Sequence, residues 1–353
     1  MTQSTPEPSA AGPSLPPPPP PWWGCPPSKR RRWLPRLLRG FLVMAFIASV
    51  LLNIELLVLV AGGAEGLDRT TLQEGTAAQT VAVYSISGTI DQKAASTFGS
   101  FFRRVRSDGD IKAVVLRVDS PGGAVAASDE IHQFVKRIRD ECNKPVVVSM
   151  GGLAASGGYY VSASADAIWA EPTTVTGSIG VIAVWPVVKN FLDKHGVEVV
   201  TIRSTQAQPW KARENFWETP DPRVRQEVLE MLDAMQAKFE QAVRSGRAGR
   251  LATRKVPQSD SQTQPAGEVE PFNGKIYLAD DAVKLGMVDQ IGYLNDALAD
   301  AARLAGLSNP RVVEYTRHRS LLERAGGEGA ASIDASLVDK LMTPRIMMLW
   351  KVD

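Results

Sequence analysis

Ser156 stands in the segment of this chain best able to do chemistry. The run is Met150-Gly151-Gly152-Leu153-Ala154-Ala155-Ser156-Gly157-Gly158-Tyr159-Tyr160. It follows an apolar stretch over 145–149 that predicts a strand, and it leads into helix-like sequence over 160–165. A serine walled by small residues can sit exposed where a strand turns into a helix. The helix start then offers free N–H groups and partial positive charge to a developing oxyanion. That is the logic of a nucleophile elbow, although the residues are not G-x-S-x-G. The plain alternative is a tight Gly/Ala-rich turn carrying an inert serine.

A second loop repeats the pattern. Residues 111–118 read as a strand that ends in Asp119-Ser120-Pro121-Gly122-Gly123. Ile131, Phe134, Val135 and Ile138 then recur on one face at helical period. Two glycines after a strand let backbone N–H groups approach a ligand closely. Gly123, or nearly as well Gly122, is a candidate second half of an oxyanion hole whose first half is the N–H of Gly157. Both loops lie at the C-terminal ends of their strands, where α/β sheets carry their sites.

The D-S-P-G-G loop, the A-A-S-G-G-Y-Y turn and Thr176-Gly177-Ser178-Ile179-Gly180-Val181, taken together, resemble the signal peptide peptidase A family. These are membrane-anchored serine peptidases of the Clp-protease/crotonase fold, and the similarity runs over about 81–305. The resemblance implies an α/β fold of repeated β-β-α units. It also implies a Ser–Lys dyad, apolar substrates such as remnant signal peptides, and a ring-like homo-oligomer. In such a ring each base comes from the same or the adjacent subunit. Lys211 occupies the place of the family's lysine, a few residues further from the preceding strand. Ser178 lies at the place of the serine that hydrogen-bonds that lysine. The bland readings are a solvated loop lysine and a turn serine.

The choice of base agrees with the histidine inventory. A serine nucleophile needs a proton acceptor. The three histidines are His132 within a helix, His195 at a charged helix end and His318 in a basic tail. Each reads as structural or surface, so a Ser-His-Asp triad is poorly supported. A lysine serves instead when desolvation lowers its pKa towards neutrality.

The remaining chain must position these groups. Its 353 residues are 22% charged with a net charge of +2, which suits one large domain with appendages and argues against nucleic acid as the main partner. No cofactor and no metal are expected. The first 35 residues are Pro-rich, with six prolines over 16–21, and cannot form a core. A basic cluster follows (Lys29, Arg30, Arg31, Arg32, Arg36, Arg39), and then an apolar stretch over 41–62 long enough to span a bilayer. Asn53 and Glu55 are unusual inside it. A cleaved signal peptide is the competing reading, and an uncleaved anchor is favoured. The basic flank keeps the N-terminus cytoplasmic and puts the rest outside the inner membrane. Cys25 and Cys142 then fall on opposite sides, which forbids an intrachain disulfide.

The expected organisation is a Pro-rich tail with its basic cluster over 1–40, the anchor over 41–62 and a linker over 63–79. The peptidase domain covers 80–306, with a polar insert over 254–272, and a C-terminal tail covers 307–353. Strands are expected over 81–90, 113–118, 145–149, 167–170, 179–184 and 197–202, alternating with helices, which argues for a mostly parallel sheet. A long helix over 221–247 is expected to face Val228, Leu229, Leu232 and Met235 inward. The apolar end over 342–350 could pack on the body, dock on a neighbour or lie in a substrate groove, and packing is the simplest of the three. Two other functions share the fold: a crotonase-type acyl-CoA enzyme, disfavoured by export, and a membrane scaffold without catalysis.

Overall fold

The computed structural model describes residues 33–62, 67–184, 186–207, 211, 215, 217–218, 221–255, 269–317 and 345–349. Residues 1–32 of the tail expected over 1–40, and most of the expected insert, 256–268, lie outside these residues. The first unit carries α1 (Trp33–Gly62), whose stretch Leu37–Glu55 has a mean hydropathy of 2.1 and is long and apolar enough to cross a bilayer.

The second unit begins with β1 (Leu67–Gln73), β2 (Thr76–Ser87), α2 (Gln92–Ser107), β3 (Ile111–Ser120) and β4 (Gly122–Ala124). It continues through α3 (Val125–Asp140), β5 (Val146–Ala155), α4 (Gly157–Ser162), β6 (Ala167–Ala170), β7 (Val175–Gly177) and β8 (Ile182–Val184). Then come α5 (Lys189–Lys194), α6 (Pro222–Gly246), β9 (Arg254–Lys255), β10 (Val269–Glu270) and β11 (Ile276–Leu278). The last elements are α7 (Ala279–Lys284), β12 (Gln290–Ile291), α8 (Leu294–Leu304), β13 (Pro310–Arg317) and β14 (Arg345–Leu349).

The main sheet's path runs β1-β13-β2-β3-β5-β6-β12, and along it the pairs are parallel except β1 with β13. Its central strands are apolar on both sides, as a sheet covered on two faces requires. Val81, Val83, Ala113, Val115 and Val147 face Ala297 and Ala301 of α8. Ala82, Tyr84, Val114, Leu116 and Val148 face the other way, into a larger core with Phe98 and Phe101 of α2, Ile131 and Val135 of α3, and Phe239 of α6.

β5 is shared between two partners. Its first half pairs with β6 (Val147↔Ala167 to Met150↔Ala170), and its end pairs with β7 (Leu153↔Val175 to Ala155↔Gly177). β11 pairs antiparallel with β7 on the far side. With β3 along its other edge as far as Ser120↔Ala154, the strand that delivers Ser156 is held on both sides almost to its last residue.

Several expectations change. The stretch 63–79 is no linker where it is described: β1 pairs along β13, and β2 starts at Thr76. The tail over 307–353 supplies β13, which lies between β1 and β2 inside the sheet, so the folded unit extends past residue 306. No strand forms over 197–202, where Val199, Val200 and Ile202 are exposed and find no strand edge to pair with. The expected strand over 179–184 shrinks to β8. The ends of the expected insert are built in: β9 pairs with β10, and buried Glu270 takes ion pairs from Arg254 and Lys275. On α6, Val224, Val228, Phe239 and Val243 are the buried residues, whereas Leu229 is exposed.

One ion pair locks α6 to the sheet. The Arg247 side chain is fully buried; its Nη2 reaches Asp289 Oδ1 at 2.7 Å, and its Nη1 reaches Oδ2 at 2.9 Å. Asp289 also accepts the Ile168 N–H of β6 at 2.8 Å. Burial pushes the Asp289 carboxyl up, but the Arg247 bonds and charge, the Ile168 N–H and Arg250 outweigh it and hold it below the usual carboxylate range. A depressed carboxylate adds stability that is complete above its unfolded pKa and is lost as pH falls through the lower folded value. Asp289→Asn strands a buried guanidinium and is expected to cost about 3–5 kcal/mol. Urea unfolding checks this, with the gap to wild type closing below about pH 4. A gap under about 1 kcal/mol at pH 7 would mean the pair behaves as a surface bridge and locks nothing.

Candidate active site

Ser156 follows β5 directly and has φ 52° and ψ −115°, a backbone conformation that L residues rarely adopt. The turn is held from both sides. The Ser156 N–H donates to Gly177 O at 2.7 Å, and its carbonyl accepts the Tyr160 N–H at 2.8 Å as the first bond of α4. Ser156 is buried, and its Oγ has no hydrogen-bond partner among the described residues. An unpaired buried hydroxyl costs about 1–3 kcal/mol, so such a group in a strained turn asks for a functional reason.

The two glycine loops meet here. A Cβ placed on Gly157 would lie 3.1 Å from Gly122 Cα and 3.2 Å from Gly123 N, so the first residue of α4 touches the second loop backbone to backbone. Gly123 is fixed from its other side: the Ile90 N–H donates to Gly122 O at 2.9 Å, and the Ala124 N–H donates to Ile90 O at 2.8 Å. A Cβ on Gly123 would fall 2.0 Å from Ile90 O, so no side chain fits. Ser120 pins the turn, donating from Oγ to Gly88 O at 2.6 Å and accepting the Gly122 N–H at 3.0 Å. The first N–H groups of α4 have no partner within the helix.

Ser178 is buried, with φ 50°, and follows Gly177 at φ 89°; its N–H donates to Lys275 O at 2.8 Å. The register Ala155↔Gly177 puts Ser156 and Ser178 side by side just beyond two paired strand ends, where neighbouring strands lie roughly 4.8 Å apart. The structure thus brings together Ser156, Ser178, Gly122, Gly123 and Gly157.

Lys211 stands apart. It is exposed, its N–H donates to Ala207 O at 2.8 Å, and its carbonyl accepts from Arg203 Nε at 2.6 Å. No hydrogen bond joins it to Ser156, whose Oγ is unpartnered. The histidines offer no substitute. His132 is buried, with Nδ1 2.9 Å from Tyr160 O, and burial foremost pushes its pKa below the ordinary value. His195 rests against Phe191 with ring centroids 4.4 Å apart. His318 lies outside the described residues.

Two features escape a reading of the sequence. Ser128 Oγ is a second buried hydroxyl without a partner, 2.5 Å from the Cβ position of Gly157. No local pattern marks it, because only the fold brings α3 under α4. β14 runs between β4 and β8, beside this site. Its apolar sequence left three places open, one of them a substrate groove, without deciding among them.

The chemistry this arrangement can perform is nucleophilic attack on a carbonyl by Ser156, with backbone N–H donors from two loops nearby.

Comparison with known proteins agrees with that geometry. Residues 139–308 match the family model described as Peptidase family S49, and residues 75–171 match the Clp protease model. Protease 4 of Haemophilus influenzae is 32% identical over 241 residues, covering 66% of this chain and 36% of that protein. Protease 4 of Salmonella typhi is 34% identical over 245 residues, covering 69% and 37%. An Enterococcus faecium sequence named for signal peptide peptidase SppA is 29% identical over 264 residues and covers 72% of each chain. The chain thus spans just over a third of the length of the Protease 4 relatives it matches. The Clp protease match agrees with the α/β sheet described above. From the second glycine loop through Ser156 and Ser178 to α8, the matched segments cover every element of the site, and over 139–308 the chain is similar to peptidase family S49.

Proposed function

We propose that this protein is a membrane-anchored serine endopeptidase with a Ser–Lys dyad, acting on remnant signal peptides and other apolar peptides beside the membrane. The observation that carries the reading is the strained, buried and unpartnered Ser156 hydroxyl against two glycine loops.

Lys211 takes the Ser156 proton as Oγ attacks the scissile carbonyl. The oxyanion is held by the N–H groups of Gly157 and Gly123, with Gly122 as the alternative to Gly123. Collapse expels the amine, which leaves with the proton held on Lys211, and water then releases the acyl group from Ser156. Ser178 orients the lysine without adding charge.

A lysine accepts a proton at neutral pH only when burial disfavours its charged form. Lys211 is exposed in the single chain. A ring-like homo-oligomer answers this, because a neighbouring copy would cover the segment that carries Lys211. Val187, Val199, Val200 and Ile202 are exposed along the same region, an apolar surface that such a neighbour would bury.

The basic flank before α1 orients the N-terminus to the cytoplasm, with the peptidase unit on the extracytoplasmic side of the inner membrane. Substrate and enzyme then share one surface.

The test uses the full-length protein in detergent with a fluorogenic Leu/Ala-rich peptide. Ser156→Ala is expected to lower kcat by at least about 10³-fold, and Lys211→Ala by about 10²–10⁴-fold. Full activity in Ser156→Ala would refute Ser156 as the nucleophile, and an assembled wild type that turns over no peptide would favour a scaffold. Full activity in Lys211→Ala would move the base elsewhere.

Mixing separates the two dyad arrangements. If the lysine comes from the adjacent subunit, randomly mixed oligomers of the two variants regain roughly a quarter of wild-type turnover, the chance that an intact serine meets an intact lysine in a cyclic assembly. If each subunit supplies its own lysine, the mixture stays inactive.

A further inference from the structure

Among the described residues, three buried hydroxyls have no hydrogen-bond partner: Ser128, Ser156 and Ser164. Ser156 precedes Gly157 in the chain, and Ser128 touches Gly157 through space. A hydroxyl in a helix can satisfy itself by donating to the carbonyl one turn back. Ser96 and Thr97 of α2 do so, to Gln92 O at 3.0 Å and Lys93 O at 2.8 Å, and Ser162 of α4 reaches Gly158 O at 2.7 Å. Ser128, in the first turn of α3, is fully buried and makes no such bond. Its hydroxyl hydrogen therefore has no acceptor in the resting chain. A buried hydroxyl left in this way costs stability, and an apolar group of the same shape would be neutral or better. An acceptor that forms during turnover would give the group a use.

The position of Ser128 says which acceptor. Three groups surround the Cβ point of Gly157: Ser128 Oγ at 2.5 Å, Gly122 Cα at 3.1 Å and Gly123 N at 3.2 Å. At the first residue of a helix, the free N–H and the Cα–Cβ direction both lean towards the N-terminal side. The Ser128 oxygen and the nitrogens of Gly123 and Gly157 thus border one small volume ahead of α4. Negative charge develops in that volume when Gly157 and Gly123 hold the carbonyl oxygen of a peptide attacked by Ser156. α3 fixes the Ser128 oxygen through Ile131 and Val135, which are buried in the core, so only the hydroxyl hydrogen has to turn.

We propose that the Ser128 hydroxyl is a third donor to the oxyanion, beside the N–H groups of Gly157 and Gly123. This rests on the peptidase reading above. As Ser156 Oγ bonds to the scissile carbon, the carbonyl π pair moves onto oxygen and the Ser156 proton goes to the base. Ser128 turns its hydrogen to that oxygen and lends a hydrogen bond. Its own O–H bond stays intact, and it transfers no proton. The bond exists only while the charge exists, so it lowers the barrier without tightening substrate binding. A donor fixed in place and without a resting partner has no competing bond to break.

The experiment compares wild type, Ser128→Ala and Ser164→Ala as full-length assemblies in detergent, on the fluorogenic apolar peptide. Ser128→Ala is expected to lower kcat at least about tenfold with KM within about twofold. Its Tm is expected to stay the same or rise by up to about 2–4 °C. Ser164 lies past the C-terminal end of α4, and Ser164→Ala is expected to keep wild-type kcat with the same trend in Tm. A loss of less than about tenfold in Ser128→Ala overturns the proposal. So does a kcat loss that comes with a lower Tm, because the hydroxyl would then be structural.

A pair of inhibitors separates charge stabilisation from groove shape. A peptide aldehyde adds to Ser156 and places an oxyanion-like oxygen in the same volume, whereas the matching peptide alcohol does not. Ser128→Ala is expected to weaken aldehyde inhibition by the factor it takes from kcat/KM and to leave the alcohol within about twofold. Equal weakening of both inhibitors overturns the proposal. A wild type inert to substrate and aldehyde alike overturns the peptidase reading and this inference with it. An active wild type beside an unaltered Ser128→Ala overturns this inference alone.

Discussion

The contact on which the site depends is backbone against backbone at two glycines. Gly157 opens α4 with its Cα against the Gly122–Gly123 turn, and Gly123 lies so close to Ile90 O that a Cβ would be 2.0 Å away. Everything around it enforces that approach. β5 is gripped by β6 and then β7 to its last residue, so the chain must turn at Ser156. Ser120 and Ile90 fix the second loop. The strain at Ser156 is tolerated because the sheet behind it is apolar on both faces and cannot relax without exposing Val147 and Val148.

The same constraint separates the two halves of the proposed site. The serine, its neighbour Ser178 and the N–H donors are set by strands buried in the core. The proposed base, Lys211, sits on a segment whose described contacts are local: Arg203 to the Lys211 carbonyl and to Glu218, and Trp217 to Thr201. A rigid half and an exposed half are what a site shared between copies would look like in one copy.

How far the sequence reveals this follows from the range of the interactions. The strand–glycine–helix units around Gly123 and Ser156 are legible because each is built from contiguous residues: an apolar run, small residues that permit a tight turn, and an amphipathic helix. Ser178 is reached through the family resemblance, and what places it is the pairing of β5 with β7, which sets Ala155 beside Gly177. Pairings over long separations are not legible. Nothing in residues 310–317 says that they lie beside β2, more than 200 residues earlier, nor that 67–73 edge the sheet beside them. The stretch 197–202 has strand-like composition but no edge to pair with, and composition without a partner does not make a strand. The apolar end of the chain left three places open, and only the register of β14 against Gly123 chooses among them.

The central claim is that Ser156 is a nucleophile poised by its turn. Labelling tests it most directly, without a guess at the substrate. The assembled full-length protein is treated with a serine-directed fluorophosphonate, digested and analysed by mass spectrometry. The account predicts that the label sits on the peptide containing Ser156 and that Ser156→Ala abolishes labelling. A label that persists in that variant, or an assembled protein that takes none, would contradict it.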